Sequence, residues 1–185
     1  MISSEIDRYK KNRVYYLNRL KQLIKHIDFI DKSVLDLGCG ESLLCTLDEF
    51  SKIKSYQGVD YLAYSNTPKY IKSDVIDYLK NDTNSFDLIL CLGVLDHMQP
   101  NQVQNLISQF TLRPESTIII SIRNPQHPFF KLLFTNRNYA MLENLKNPDQ
   151  TLFLLKLPFL QKSFEINFWP ELFSTEVIMV FKALK

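Results

Sequence analysis

Residues Val34-Leu35-Asp36-Leu37-Gly38-Cys39-Gly40-Glu41-Ser42 run from an apolar strand pattern straight into two glycines. Gly38 and Gly40 let the backbone turn sharply and approach a ligand closely, and a helix expected over 41–50 offers unpaired N–H groups behind them. Asp36 precedes the turn, at the carboxyl end of the strand, where open α/β sheets bind their ligands. A dinucleotide fingerprint G-x-G-x-x-G would need a small residue at position 43, which is Leu43. An acid just ahead of the glycines opposes a pyrophosphate and suits an ammonium, so the ligand expected here carries a positive group such as that of an amino acid.

About 20 residues on, Gly58-Val59-Asp60-Tyr61 puts a second carboxylate at a strand end. There it can accept both hydroxyl hydrogens of a ribose. Asp74, in Lys72-Ser73-Asp74-Val75, closes a third strand pattern and is positioned to accept from an exocyclic adenine amine. Three acids ending three successive strands form one strip.

The elements that must position this strip are legible as periodicities. Short apolar runs at 34–37, 56–59, 70–71, 86–91 and 117–122 read as strands separated by helices or turns, the pattern of a parallel sheet covered on both faces. The clearest helices are expected at 41–50 and 101–110, capped by Gly40 and Gln99, with Pro100 suited to a first helical turn. Ile6, Tyr9, Val14, Leu17, Leu20, Leu23, Ile24 and Ile27 recur mostly three or four apart, predicting one or two helices before the first strand. Runs at 164–168 and 176–181 are close enough to pair as an antiparallel hairpin. The expected fold is α/β: a Rossmann-like, seven-stranded, mostly parallel sheet with an antiparallel last strand, helices on both faces and an N-terminal helical cap. One domain, 1–185, is expected, with the cap at 1–32, a cofactor-binding core at 33–123, a substrate lid insert at 124–162 and a C-terminal β-hairpin at 163–185.

In motif order over roughly residues 33 to 123, the chain resembles the class I S-adenosylmethionine-dependent methyltransferases. Asp36, Gly38 and Gly40 match the first motif, Asp60 the ribose acid, Asp74 the adenine acid, and Phe86 to Met98 the fourth strand and its following loop. Ser42 stands where a third glycine is frequent. The resemblance implies S-adenosylmethionine as cofactor, held by Asp36, Gly38, Cys39, Gly40, Asp60, Tyr61, Asp74, Val75, Cys91 and Leu92. The segment from Phe86 to Met98 is similar to small-molecule methyltransferases, and the Asn/Asp-Pro-Pro-aromatic signature of many base amino methylases is absent. A small-molecule acceptor is therefore the leading expectation. The alternatives are an RNA or protein methyltransferase, or a non-catalytic binding module on the same scaffold.

Among the remaining polar residues, His97 follows the fourth strand, where it can accept a proton from a hydroxyl or amine nucleophile or anchor the pocket by packing and hydrogen bonding. Asp96 can orient it or close a turn. Arg123 and His127 lie just past the fifth strand, where substrate contacts are expected in this fold; His127 also reads as part of a Pro-rich surface loop, and His26 as solvated. Arg8, Lys10, Lys11, Arg13, Arg19, Lys21 and Lys25, interleaved with Tyr9, Tyr15 and Tyr16, could grip phosphates with the tyrosines as stacking surfaces. The favoured reading is an amphipathic helix whose tyrosines cover the cofactor and whose charges face water.

Composition excludes several classes outright. Over 185 residues the chain is 45% hydrophobic and 23% charged, with only 4 Gly and 8 Pro, which removes disordered and fibrous readings. A net charge of +2 demands neither nucleic acid nor an anionic membrane. Three cysteines without a C-x-x-C pair indicate neither a disulfide framework nor a zinc site, and no metal is expected. With no signal-peptide pattern and no apolar run near ~20 residues, a cytoplasmic location is expected. Nothing in the chain specifies an oligomeric state.

Overall fold

Strand alternation sets the architecture. Along β1 (Ser33–Leu37), Leu35 and Leu37 face one side of the sheet and Val34 and Asp36 the other. The computed structural model of the chain describes residues 12–62, 70–123, 160–167 and 176–183. Within them β1 is joined by β2 (Ser55–Asp60), β3 (Tyr70–Lys72), β4 (Leu88–Leu92), β5 (Thr117–Arg123), β6 (Leu160–Asn167) and β7 (Glu176–Ala183) in a single seven-stranded sheet of order β3-β2-β1-β4-β5-β7-β6. The pairs from β3 to β5 are all parallel, whereas β7 runs antiparallel to both β5 and β6. This is the mostly parallel sheet with an antiparallel last strand that the sequence predicts. β6 begins at Leu160, ahead of the apolar run at Phe164.

Each face of the sheet buries its own core. Leu35, Leu37, Val59, Ile89, Ile118 and Ile120 pack with Ile76 and Leu79 of α2 (Val75–Asn81) and Leu106, Ile107 and Phe110 of α3 (Pro100–Thr111). On the opposite face Val34, Leu88, Leu90, Leu92 and Ile119 pack with Leu20 and Leu23 of α1 (Arg13–His26). Leu23 is fully buried, so α1 belongs to the core as well as covering it. Burying such a side chain contributes about 1.5–3 kcal/mol.

Local chemistry starts and stops these helices. Asp74 caps α2 by accepting from the N–H groups of Ile76 and Asp77 at 2.8 and 3.2 Å. Gln99 caps α3, its N–H donating to the side chain of Gln102 at 2.8 Å, with Pro100 in the first turn as expected.

The helix expected over 41–50 is not formed. Two short 3-10 turns, Leu43–Thr46 and Asp48–Lys52, stand in its place. Ser42 adopts a left-handed conformation (φ 50°, ψ 49°), so no right-handed helix starting at 41 can run through it, and Leu47 is extended (φ −91°, ψ 147°), which separates the two turns. The cap of the first turn is accordingly Ser42 and not Gly40. The substrate lid at 124–162 falls almost wholly outside the described residues, as do His127, the segment before residue 12 and the crossover at 63–69.

Candidate functional site

Three strand ends converge at the carboxyl edge of the sheet, because β1 pairs with β2 on one side and β4 on the other. Asp36 lies opposite Gly58 on β2 and Leu90 on β4. Beyond β1 the chain turns through Gly38 (φ 68°) and Gly40 (φ 56°), both in the left-handed region that side chains disfavour. Gly38 N–H donates to the carbonyl of Val59 at 2.7 Å, and Gly40 N–H donates to Asp60 Oδ2 at 2.9 Å. The Cys39 N–H also donates to the Val59 carbonyl, at 3.2 Å, so three hydrogen bonds tie the glycine turn to the end of β2. Asp60 Oδ1 accepts from the N–H of Leu62 at 2.9 Å, so the buried carboxylate organises the loops after both strands. A carboxylate oxygen can accept more than one hydrogen bond, the capacity that a ligand hydroxyl would use here.

Gly38 is confined by protein before any ligand. A Cβ there would lie 2.3 Å from Val94 Cγ2, so the loop after β4 closes against the loop after β1 only because residue 38 has no side chain.

Asp36 is buried and receives the hydroxyl of Tyr56, which donates to its Oδ2 at 2.9 Å. Burial pushes the Asp36 carboxyl up to about 7, with Asp60 adding a smaller upward push, against the Tyr56 hydrogen bond and the Arg19 charge, which lower it. Gly58 makes room for this arrangement within a strand. A Cβ at 58 would lie 2.8 Å from Cys39 Sγ, 3.0 Å from Ser42 Oγ and 3.1 Å from Tyr56 Oη, so all three polar groups gather above its Cα. Burial also pushes the Cys39 and Cys91 thiols far above their ordinary range, leaving them small protonated hydrophobes.

The structure joins Gly38, Cys39, Gly40 and Asp60 through hydrogen bonds at the ends of β1 and β2, holds Asp36 separately on the hydroxyl of Tyr56, and sets Cys91, which pairs with Leu37, beside them. The Cys91 side chain itself points into the core on the α2 and α3 face, as does that of Val75. Leu92, buried on the other face, turns its carbonyl to the side chain of Arg19. Tyr61 is 55% exposed directly beyond Asp60. Asp74 is two residues past β3, with Oδ1 committed to capping α2, so only Oδ2 remains for an exocyclic amine. His97 is exposed on the 3-10 turn Leu95–His97, and its neighbour Asp96 is buried. Arg123 is the last residue of β5.

Lys21, Lys25 and His26 are exposed on α1, as the amphipathic reading expects. Arg19 departs from it. Its guanidinium lies 5.1 Å from the ring centroid of Tyr16 and donates through Nη2 to the carbonyl of Leu92 at 3.4 Å, over the end of β4. Sequence reasoning also missed Tyr56 and Gly58. The signal was present in the two-residue spacing of Tyr56, Gly58 and Asp60, which puts all three on one face of β2.

No protein-family model matches the chain, and no curated protein matches it in sequence. Solved structures do. An S-adenosylmethionine-dependent methyltransferase from Archaeoglobus fulgidus superposes with a TM-score of 0.63 at 20% identity, over 94% of this chain and 97% of that one. Magnesium protoporphyrin IX methyltransferase from Synechocystis PCC 6803, solved with bound S-adenosylhomocysteine, gives 0.63 at 16% identity over 95% and 86%. The methyltransferase domain of bacterial CtHen1 gives 0.62 at 17% identity over 90% and 97%. The strand order and these superpositions show a Rossmann-like methyltransferase fold.

Proposed function

We propose that this chain is an S-adenosylmethionine-dependent methyltransferase acting on a small molecule. The observation that carries the reading is the coupling of Gly40 to Asp60: the carboxylate that suits a ribose also holds the glycine turn in place, at the edge of a sheet with methyltransferase strand order. The donor set fits the cofactor. Asp60 suits two hydroxyls, Asp36 an ammonium, and Oδ2 of Asp74 an amine, while exposed Tyr61 offers a ring face to a base.

S-adenosylmethionine, when bound, supplies a sulfonium-activated methyl group for in-line transfer to an O, N or C nucleophile of the acceptor. The protein's own part is alignment and exclusion of water. Gly38, closed against Val94, rigidifies the turn, and α1 packs over the sheet face that carries Asp36. His97, exposed beyond β4, is the residue assigned to take the proton from an acceptor hydroxyl or amine. Arg123 and His127 are assigned to the acceptor side. A small-molecule acceptor is supported by the absence from the sequence of a base-methylase signature and by the likeness to a porphyrin methyltransferase.

Calorimetry with S-adenosylhomocysteine tests the proposal. Wild type should bind it, and Asp60→Ala should weaken binding by about 2 to 4 kcal/mol, since two ribose hydroxyls lose a charged acceptor and the glycine turn loses its tether. Asp60→Asn, which keeps one acceptor oxygen, should lose less. No heat with wild-type protein by calorimetry, confirmed by equilibrium dialysis, refutes the reading.

A further inference from the structure

A cavity of about 580 Å³ opens between α2 and the outer strands β2 and β3. That volume lies within the range of about 300–1,000 Å³ usual for small-molecule sites. Strand alternation sets its floor. Ser55 and Gln57 share a face with Val59, which pairs with Ile71 on β3 and belongs to the core beneath α2 and α3. Asp36 faces the other way from β1, so the sheet stands between this cavity and the proposed cofactor site. The wall is α2, a short helix that stops at Asn81 because Asp82 turns extended (φ −90°, ψ 126°). The chain then runs through 82–86 without helix or strand before it enters β4, and the space that another helical turn would fill is left open.

The chemistry of the lining is one-sided. Asp77 and Asp82 bring two carboxyl groups, and no lysine or arginine stands among the described lining residues. Amide donors in the lining are turned to the protein: Gln57 Nε2 donates to the Gly58 carbonyl at 2.8 Å, Asn81 Nδ2 to the Asp77 carbonyl at 2.8 Å and Asn84 Nδ2 to Asp82 Oδ1 at 2.6 Å. Asp82 is the inner carboxyl group. Its side chain is only 6% exposed, yet its buried Oδ2 accepts no hydrogen bond. Arg113 Nη2 stands 3.5 Å from that oxygen but donates to the carbonyls of Leu79 at 3.0 Å and Asp82 at 2.8 Å. A buried carboxylate oxygen without a hydrogen bond is costly, and a charged donor relieves it. Burial first, and then the neighbouring Asp82 charge, push the Tyr78 phenol up to about 12, so its hydroxyl stays neutral while its ring and Ile71 give the cavity an apolar side.

We propose that this cavity is a second ligand site that takes a small aliphatic diamine, one ammonium on Asp82, the other on Asp77, and the methylene chain against Tyr78 and Ile71. Two carboxyl groups, one deep and one on the exposed side of α2, match two separated positive charges. An ammonium is a compact point charge, suited to an oxygen that the planar Arg113 fork leaves unbonded. No step of the proposed methyl transfer uses this site, and its occupancy does not rest on that reading.

The test uses the whole chain, labelled for backbone amide spectra, and diaminobutane with an amine at each chain end; butanediol and succinate serve as neutral and anionic probes of the same length. Diaminobutane should shift the amides of 55–57 and 77–86 saturably, with a Kd of about 1 mM or tighter. Butanediol and succinate at equal concentrations should leave them in place. Asp82→Asn should weaken diaminobutane binding at least about tenfold, the lower bound for a charge-assisted hydrogen bond. Asp77→Asn, at an exposed position, should weaken it about threefold, and Ile71→Trp, which places an indole in the cavity, should block it. Each variant is checked by thermal melt. Absence of saturable shifts at these amides, an equal response to butanediol, or wild-type affinity in a folded Asp82→Asn protein overturns the site. Should Asp82→Asn fail to fold, wild-type affinity in both Asp77→Asn and Ile71→Trp overturns it equally.

Discussion

The hydroxyl of Tyr56 donates to Oδ2 of Asp36 at 2.9 Å, joining two buried side chains on adjacent parallel strands beneath the glycine turn. The bond is possible because Gly58, between Tyr56 and the end of β2, leaves its space to the phenol. It also sets the charge of the pocket. Arg19 and Tyr56 favour the Asp36 carboxylate, whereas burial and Asp60 oppose it, and the balance puts its titration at about 7.

Ligand binding should therefore be linked to protons. A ligand ammonium beside Asp36 selects the carboxylate and lowers its pKa, so binding releases a proton below pH 7 and affinity rises with pH until about 7, then levels. Calorimetry of S-adenosylhomocysteine in buffers of different ionisation enthalpy measures the release. Tyr56→Phe removes one of the groups favouring the carboxylate, so the plateau should move to higher pH. A pH-independent affinity between 5 and 8 contradicts the assignment of Asp36 to the ammonium.

The ligand-free protein should show the opposite slope in stability. The folded state holds the Asp36 proton more tightly than the unfolded chain, whose carboxyl titrates near 3.8. The contribution is fully present below that value and is lost as pH rises towards about 7, because charging a buried carboxyl costs the fold and not the unfolded chain. Replacing Asp36 by Asn should flatten this part of the denaturation profile, read as urea midpoints from pH 4 to 8.

Gly38→Ala should destabilise by about 2 to 4 kcal/mol, combining the cost of a left-handed alanine with a methyl forced into Val94. Pairing it with Val94→Ala removes the clash and leaves the backbone term. Urea titration of the single and double variants measures the difference, and equal losses in both would show that Val94 is not the obstacle.

His97→Ala should reduce turnover by about 100-fold and remove the acidic limb of the pH–rate profile, while S-adenosylhomocysteine affinity stays unchanged. A thermal melt of the variant separates a loss of turnover from a loss of fold. A retained rate with a retained profile takes His97 out of the mechanism.

Reversal of the exposed Lys21 and Lys25 to Glu should leave cofactor affinity within about twofold, since both face water on α1. Leu23→Ala, on the inward side of the same helix, should cost about 2–5 kcal/mol. Loss of activity on an RNA substrate in the charge-reversed protein, with wild-type activity falling steeply with salt, would replace the small-molecule reading by a nucleic-acid one.

Much of this protein is written in local physics. Short apolar runs identify the seven strands, acids within or just beyond the ends of runs 34–37, 56–59 and 70–71 mark the strip at the carboxyl edge, and Gln99 with Pro100 announces α3. Each follows from backbone alternation or turn chemistry within a few residues, which a linear reading contains. The helix expected at 41–50 failed for a reason hardly visible in residue types, since Ser42 is driven into a left-handed conformation by the need to close the turn onto β2, where Gly38, Cys39 and Gly40 are all hydrogen-bonded. Arg19 reads as one of seven solvated cations until α1 is laid across the end of β4, and Tyr56 reads as strand filler until β2 is paired with β1. Those contacts span 73 and 20 residues. Partners so distant are chosen by strand order and register, which bring together side chains that no spacing along the chain relates.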